Sequence, residues 1–188
     1  MNLLKTGLAT ILVAGSLFAG NYNVDASHSS VGFKVKHMMI SNVKGKFDKF
    51  SGSFVFDEKT KTLKSLQGEV EATSINTENA KRDNHLRSED FFDVTNYPKL
   101  TLKITDVNGD SATGKLTIRG VTKVVKFELE TSGVIKDPWG NTRTGLTLET
   151  KVNRQDYGLK WNDVLETGGL IVGDKVKISV ELEGILTK

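Results

Sequence analysis

Residues 29–37 read SSVGFKVKH, and their alternation decides the fold. Val31, Phe33, Val35 and His37 share one parity, while Lys34 and Lys36 take the other. A period of two with one apolar and one wet face is the signature of a half-buried strand. The pattern recurs through Phe54 and Phe56, Leu66 and Val70, and Leu100, Leu102 and Ile104. It returns at Leu116 and Ile118, at Val125, Phe127 and Leu129, at Leu146 and Leu148, and at Val176, Ile178, Val180 and Leu182. Eight strands are therefore expected.

Short turn signals separate them: DEKT from Asp57, NG at Asn108, RGVTK from Arg119 and DPWG from Asp137. Connections this short join antiparallel neighbours. Several alternating runs approach ten residues, well beyond the usual 5 to 6. Long strands in up-and-down order with one polar face predict an all-β, eight-stranded antiparallel barrel, closed rather than stacked.

Two stretches break the alternation. Residues 82–101, RDNHLRSEDFFDVTNYPKLT, concentrate charge and aromatics. Asn76 or Thr77 is suited to cap a short helix there, and Ala80 and Leu86 are too few for an amphipathic core helix. The segment is expected to lie across a barrel end, pinned by Phe91 and Phe92. Residues 155–174, QDYGLKWNDVLETGGLIVGD, form a long connection carrying Tyr157, Trp161 and Leu165, of the length often used for lids and binding loops.

The chain of 188 residues begins MNLLKTGLATILVAGSLFAG, with a lone Lys5, an apolar run over 8–18 and small residues at the end. This predicts a secretory leader over 1–19 and one mature domain over 20–188. The run is shorter than the roughly 20 residues of a spanning helix, so no permanent membrane anchor is expected. Without cysteine there is no disulfide framework and no thiol for lipid attachment, which points to a freely soluble protein of the bacterial periplasm or the outside medium. Basic residues number 26 against 23 acidic, for a net charge of +3. Dispersed along alternating strands, they argue against nucleic acid as a partner.

An eight-stranded barrel holds either packed side chains or one small ligand. Periodicity alone leaves both open and favours the packed core. The inward set is Val31, Phe33, Val35, Phe54, Leu102, Ile104, Leu116, Phe127 and Leu129. Strands of about 11 residues rising roughly 3.4 Å each at about 40° give a barrel on the order of 28 Å tall, long enough for an extended lipid chain. His37 shares the inward parity and is a candidate for a head group or a backbone carbonyl. Met38 and Met39 are adaptable side chains suited to a barrel mouth. Arg82, Arg87 and Arg154 could meet an anionic head, with Asp83, Glu89, Asp90 and Asp156 as the commoner partners. Catalysis finds little support: His28, His37 and His85 have no metal-ligand spacing, and no nucleophile elbow, Walker loop or dinucleotide fingerprint occurs.

Four long motifs in order, VDASHSSVGFKVKHMMISNVKGKF, RDNHLRSEDFFDVTNYPKLT, GKLTIRGVTKVVKFELE and NRQDYGLKWNDVLETGGLIVGDKVKISVELEG, resemble the YceI-like family over nearly all of the mature chain. The resemblance implies a lipocalin-like barrel, exported and soluble, binding a polyisoprenoid or another long-chain amphiphilic lipid, and it favours cavity over core. It implies no catalytic centre and no required metal or redox cofactor, and it admits a homodimer. The tunnel lining expected on this basis is Phe33, Val35, His37, Met39, Phe54, Phe91, Phe92, Leu102, Ile104, Leu116, Phe127, Leu129, Tyr157, Trp161 and Leu165, with the two irregular segments covering one end.

Overall fold

The computed structural model describes residues 19–164, 166 and 168–187. Most of the expected leader and Leu165 lie outside these residues. The strands are β1 (Ala19–Val24), β2 (Ser30–His37), β3 (Ser41–Phe47), β4 (Phe50–Asp57), β5 (Thr62–Glu71) and β6 (Ile75–Asn76). After the helix α1 (Ala80–Arg87) come β7 (Lys99–Asn108), β8 (Ser111–Ile118), β9 (Val121–Thr131), β10 (Ile135–Lys136), β11 (Thr142–Asn153) and β12 (Val172–Leu186).

Eight of these strands close a ring, β11–β9–β8–β7–β5–β4–β1–β12, and β12 returns to β11. Every pairing is antiparallel. The 15-residue β12 makes closure possible. One of its edges carries β11, from Lys175 opposite Asn153 to Ile185 opposite Arg143. Its other edge carries β2 and then β1, laid end to end around a 3-10 turn at Ala26–His28. β3 and β4 continue one another in the same way, pairing with β2 and β1 respectively. The sequence pattern had not marked β1 or β3 as separate strands. In β3 the inward positions are Val43, Gly45 and Phe47, and Gly45 leaves a gap in the alternation that the ring of Phe33 covers.

The interior has two zones. Around the β4–β5 and β7–β8 turns the barrel is solid: Tyr22, Phe54, Phe56, Leu63, Ile104, Phe127 and Leu148 are buried together. Tyr22 stacks on Phe54 at 5.3 Å and meets Phe56 edge-on at 6.3 Å. At the opposite end Phe47, Ile75, Phe91, Leu100, Ile118, Val152, Tyr157 and Leu159 form a second cluster that includes the two irregular segments. Core and cavity, posed as alternatives by the alternation, therefore occupy different heights of one barrel.

The polar ends are clasped. Arg143 donates to Asp25 at 2.7 Å, to Asp137 at 2.7 Å and to Glu183 at 2.5 Å, tying the ends of β1 and β12 to the β10–β11 hairpin. Hydrogen bonds from Ser27, His28 and Arg143 hold the Asp25 carboxyl well below the usual range. Burial opposes the charge on Asp137, but hydrogen bonds from Arg143, Asn141 and the Trp139 amide together hold it down at about 2. Trp139 itself is exposed at the hairpin tip.

Candidate functional site

A cavity of about 170 Å3 lies between the packed floor and the irregular end. Its position follows from two glycines. Gly52 of β4 stands opposite Gly68 of β5, and Gly68 stands opposite Leu102 of β7. All three have inward parity, so two neighbouring strands present no side chain at this height. Leu66 and Phe127 close the space below, and Val70, Leu116, Val176 and Ile178 wall it above.

The roof has two parts. The first is α1 with the residues that follow it. Asn79, rather than Asn76 or Thr77, caps the helix, accepting from the Arg82 amide at 3.0 Å. Thr77 instead donates through its amide and hydroxyl to the buried Asp83. Arg87 donates to the carbonyls of Thr73 and Ile75, each at 2.8 Å, which fastens the helix to β6. Leu86, Phe91 and Phe92 then point their bulk at the cavity wall, and Phe92 meets Phe47 edge-on at 5.8 Å. The second part follows β11 as a 3-10 turn, Arg154–Tyr157, and contributes Tyr157 and Leu159.

Arginines hold this roof by its backbone. Arg154, 5% exposed, donates to the carbonyls of Leu159 at 2.6 Å, Trp161 at 2.8 Å and Gly173 at 3.1 Å, and approaches Asp174 at 3.4 Å. Burial lowers its pKa, and Asp174 opposes that shift. Arg82 likewise goes to Thr77, at its hydroxyl and carbonyl. The carboxylate partners expected for these three arginines are thus mostly replaced by carbonyls. Arg119, in the β8–β9 turn, reaches both parts at once: it donates to Gly158 at 2.7 Å and to Glu89 at 2.8 Å. Trp161 adds a second bridge, lying 5.3 Å from Phe91 and 4.9 Å from His85.

Of the lining expected from the sequence, Phe33, Val35, Phe91, Phe92, Leu102, Leu116, Phe127 and Tyr157 line this cavity. Phe54, Ile104 and Leu129 do not: they lie within the packed floor, beneath the Leu66 and Phe127 that face the cavity. His37 also lies off the cavity: it pairs with Ser41 and Val172 at the far end of β2. Met39 is 63% exposed. With Met38 it forms the β2–β3 turn, where both residues have left-handed φ values of 49° and 62°. Trp161 stands behind Phe91 rather than in the wall, and Leu165 lies outside the described residues. Leu86, Leu159 and Arg119 were not among the site residues expected from the sequence. Leu86 was visible, with Ala80, as one of two apolar residues in a polar helix, whereas Arg119 read only as a turn residue.

The cavity wall contains few polar side chains. Ser51, Gln67, Glu69 and Thr101 border it, and Glu69 is engaged on the outer face by Lys99 at 2.8 Å. Away from the cavity, Asp25, His28 and Glu183 bring possible ligand atoms within 4.8 Å of one another. Arg143 already donates to two of them, so an arginine supplies the positive charge there.

The model of the YceI-like domain matches residues 22–184. The chain belongs to the YceI-like family. A UPF0312 protein of Staphylococcus aureus (strain N315) is 38% identical over 164 residues, covering 87% of this chain and 96% of that protein. The crystal structure of a Campylobacter jejuni YCEI protein superposes with a TM-score of 0.67 at 32% identity, covering 87% of this chain and 96% of that one. A polyisoprenoid binding domain from Saccharophagus degradans, implicated in plant cell wall breakdown, shares the fold with a TM-score of 0.66 at 18% identity, covering 88% and 98%. The barrel with its capped cavity is thus a YceI-like domain, and the motifs that carried the resemblance supply its roof as well as its strands.

Proposed function

We propose that this YceI-like protein binds one long apolar chain, of the polyisoprenoid or a similar lipid class, and carries or stores it outside the cytoplasm. The observation that carries this reading is the cavity itself, an apolar space between a solid floor and a two-part roof. Polyisoprenoid binding by the Saccharophagus domain supports the same ligand class. Each buried methylene contributes about 0.8 kcal/mol, so ten contribute roughly 8 kcal/mol before the cost of association.

At about 170 Å3 the cavity is smaller than the roughly 300–1,000 Å3 typical of ligand pockets. A long chain therefore requires a wall to yield. The barrel wall is a continuous hydrogen-bonded ladder, whereas the two roof parts meet through Arg119 and a few rings. The roof is the wall that gives way. The wall chemistry supports a binding reading: the ionisable side chains bordering the cavity among the described residues are Glu69, Arg154 and Tyr157, and Arg154 and Glu69 are engaged by backbone carbonyls and by Lys99 respectively. Export rests on the leader-like residues 1–19 and the absence of cysteine.

The test is equilibrium uptake of geranylgeraniol by the purified mature protein, read by native mass spectrometry. One molecule per chain is expected. Absence of uptake of any prenyl or fatty chain would remove the carrier reading, and recovery of the protein only from the cytoplasm on cell fractionation would remove export.

A further inference from the structure

Two tyrosines are completely enclosed, and their hydroxyls are treated differently. Tyr22, in the packed floor, donates to Glu58 at 2.9 Å. Tyr157, 2% exposed and part of the cavity wall, has a hydroxyl with no partner, and no other buried side-chain polar atom among the described residues shares that condition. A buried donor left unmet costs free energy that phenylalanine at the same place would avoid. Burial, and then the nearby Asp156, push this phenol up to about 12, so it keeps its proton at neutral pH and can donate.

The surroundings restrict what could accept that proton. A phosphate or carboxylate head taken out of water requires a cation. Arg154, the one cationic side chain of the wall among the described residues, spends its guanidinium on the carbonyls of Leu159, Trp161 and Gly173. Roof movement that admits a chain beside Tyr157 would uncover a neutral donor in apolar surroundings.

We propose that the Tyr157 hydroxyl anchors a neutral oxygen of the bound lipid, an alcohol or a carbonyl, and so sets its direction, with the head under the roof and the tail toward Gly52 and Gly68. The assignment rests on the lipid-binding reading above. It makes the site selective for uncharged oxygen-bearing chains over both plain hydrocarbons and phosphorylated chains of equal length.

The test compares the wild-type protein with Tyr157→Phe in calorimetric titrations with farnesol, farnesene and farnesyl phosphate, alongside urea unfolding of both ligand-free proteins. The wild type is expected to bind farnesol about tenfold more tightly than farnesene, and more tightly than the phosphate. Tyr157→Phe is expected to lose the advantage of the alcohol, to bind farnesene as the wild type does, and to unfold at the same or higher urea. The proposal is overturned if the advantage survives in Tyr157→Phe, if the wild type shows none, or if the phosphate binds best. Earlier unfolding of ligand-free Tyr157→Phe also overturns it, because the hydroxyl would then already be satisfied. Failure of both proteins to bind any of the three chains would instead bring down the carrier reading itself.

Discussion

Replacing Gly68 by leucine tests whether the space beside the Gly52–Gly68 pair is where a chain binds. A Cβ added at Gly68 meets only the Ser51 carbonyl oxygen at 3.4 Å, an ordinary contact. The new side chain has room, and its parity with Leu66 and Val70 directs it inward. Four carbons then occupy volume otherwise available to about four ligand methylenes, a loss of about 3 kcal/mol at 0.8 kcal/mol each. That is a weakening of about 200-fold in Kd. The folded state should gain rather than lose, since glycine within a strand costs roughly 0.5–1 kcal/mol relative to alanine. Farnesol titration and urea unfolding of the same preparation separate the two effects. A folded Gly68→Leu protein that binds farnesol within about threefold of wild type would refute the placement of the chain. Gly52 is the contrasting control: its added Cβ would lie 2.8 Å from the Gln67 carbonyl oxygen, so Gly52→Ala should itself destabilise the sheet.

Arg119→Met removes the hydrogen bonds to Gly158 and Glu89. Loss of roughly 1.5–3 kcal/mol for each charged hydrogen bond should appear as faster amide exchange in the roof segments and faster lipid release, with the strand ladder unchanged; uniform protection would show that the roof is held otherwise. Arg154→Met strips partners from three carbonyls and should cost about 3 kcal/mol or more in denaturant unfolding, so a change under 1 kcal/mol would contradict its role as the roof's internal tie. The Arg143 clasp gives a pH signature. Asp25 and Asp137 are held below their unfolded pKa of about 3.9. Their stabilisation is therefore fully present above about pH 4 and lost as the pH falls toward 2. Urea midpoints measured from pH 6 to pH 2 should fall in that window for wild type and more shallowly for Arg143→Met, and parallel curves would place the acid sensitivity elsewhere.

The strands were legible because one buried face forces a strict period of two, and Lys34 and Lys36 against Phe33 and Val35 leave little ambiguity in β2. The bent strands were not, since a 3-10 turn at Ala26–His28 and an inward Gly45 interrupt the pattern without any apolar signal. Parity also separates inside from outside but says nothing about height. Phe54 and Phe127 look alike in sequence and both belong to the solid floor, yet Phe127 is at its upper face and borders the cavity while Phe54 does not. What decides the difference is the register that sets Gly52 against Gly68, a relation between strands that no local window contains. His37 and Met39 departed from expectation for the same reason. The parity of His37 is inward and Met39 was expected at the barrel mouth, but β2 runs past the cavity into a left-handed Met38–Met39 turn. The aromatics of the two irregular segments pack in one cluster, with Trp161 against Phe91, while Arg119, thirty-nine residues from one of its partners and thirty from the other, could be assigned only once the turns were placed.

Native mass spectrometry of the protein taken from the cells that make it, followed by extraction and identification of whatever it holds, tests the capped cavity as a lipid site most directly. One bound molecule per chain, resolving to an uncharged long-chain lipid and absent from Gly68→Leu, is the expected result. A bare polypeptide mass under gentle conditions, with no uptake of added prenyl chains, would contradict it.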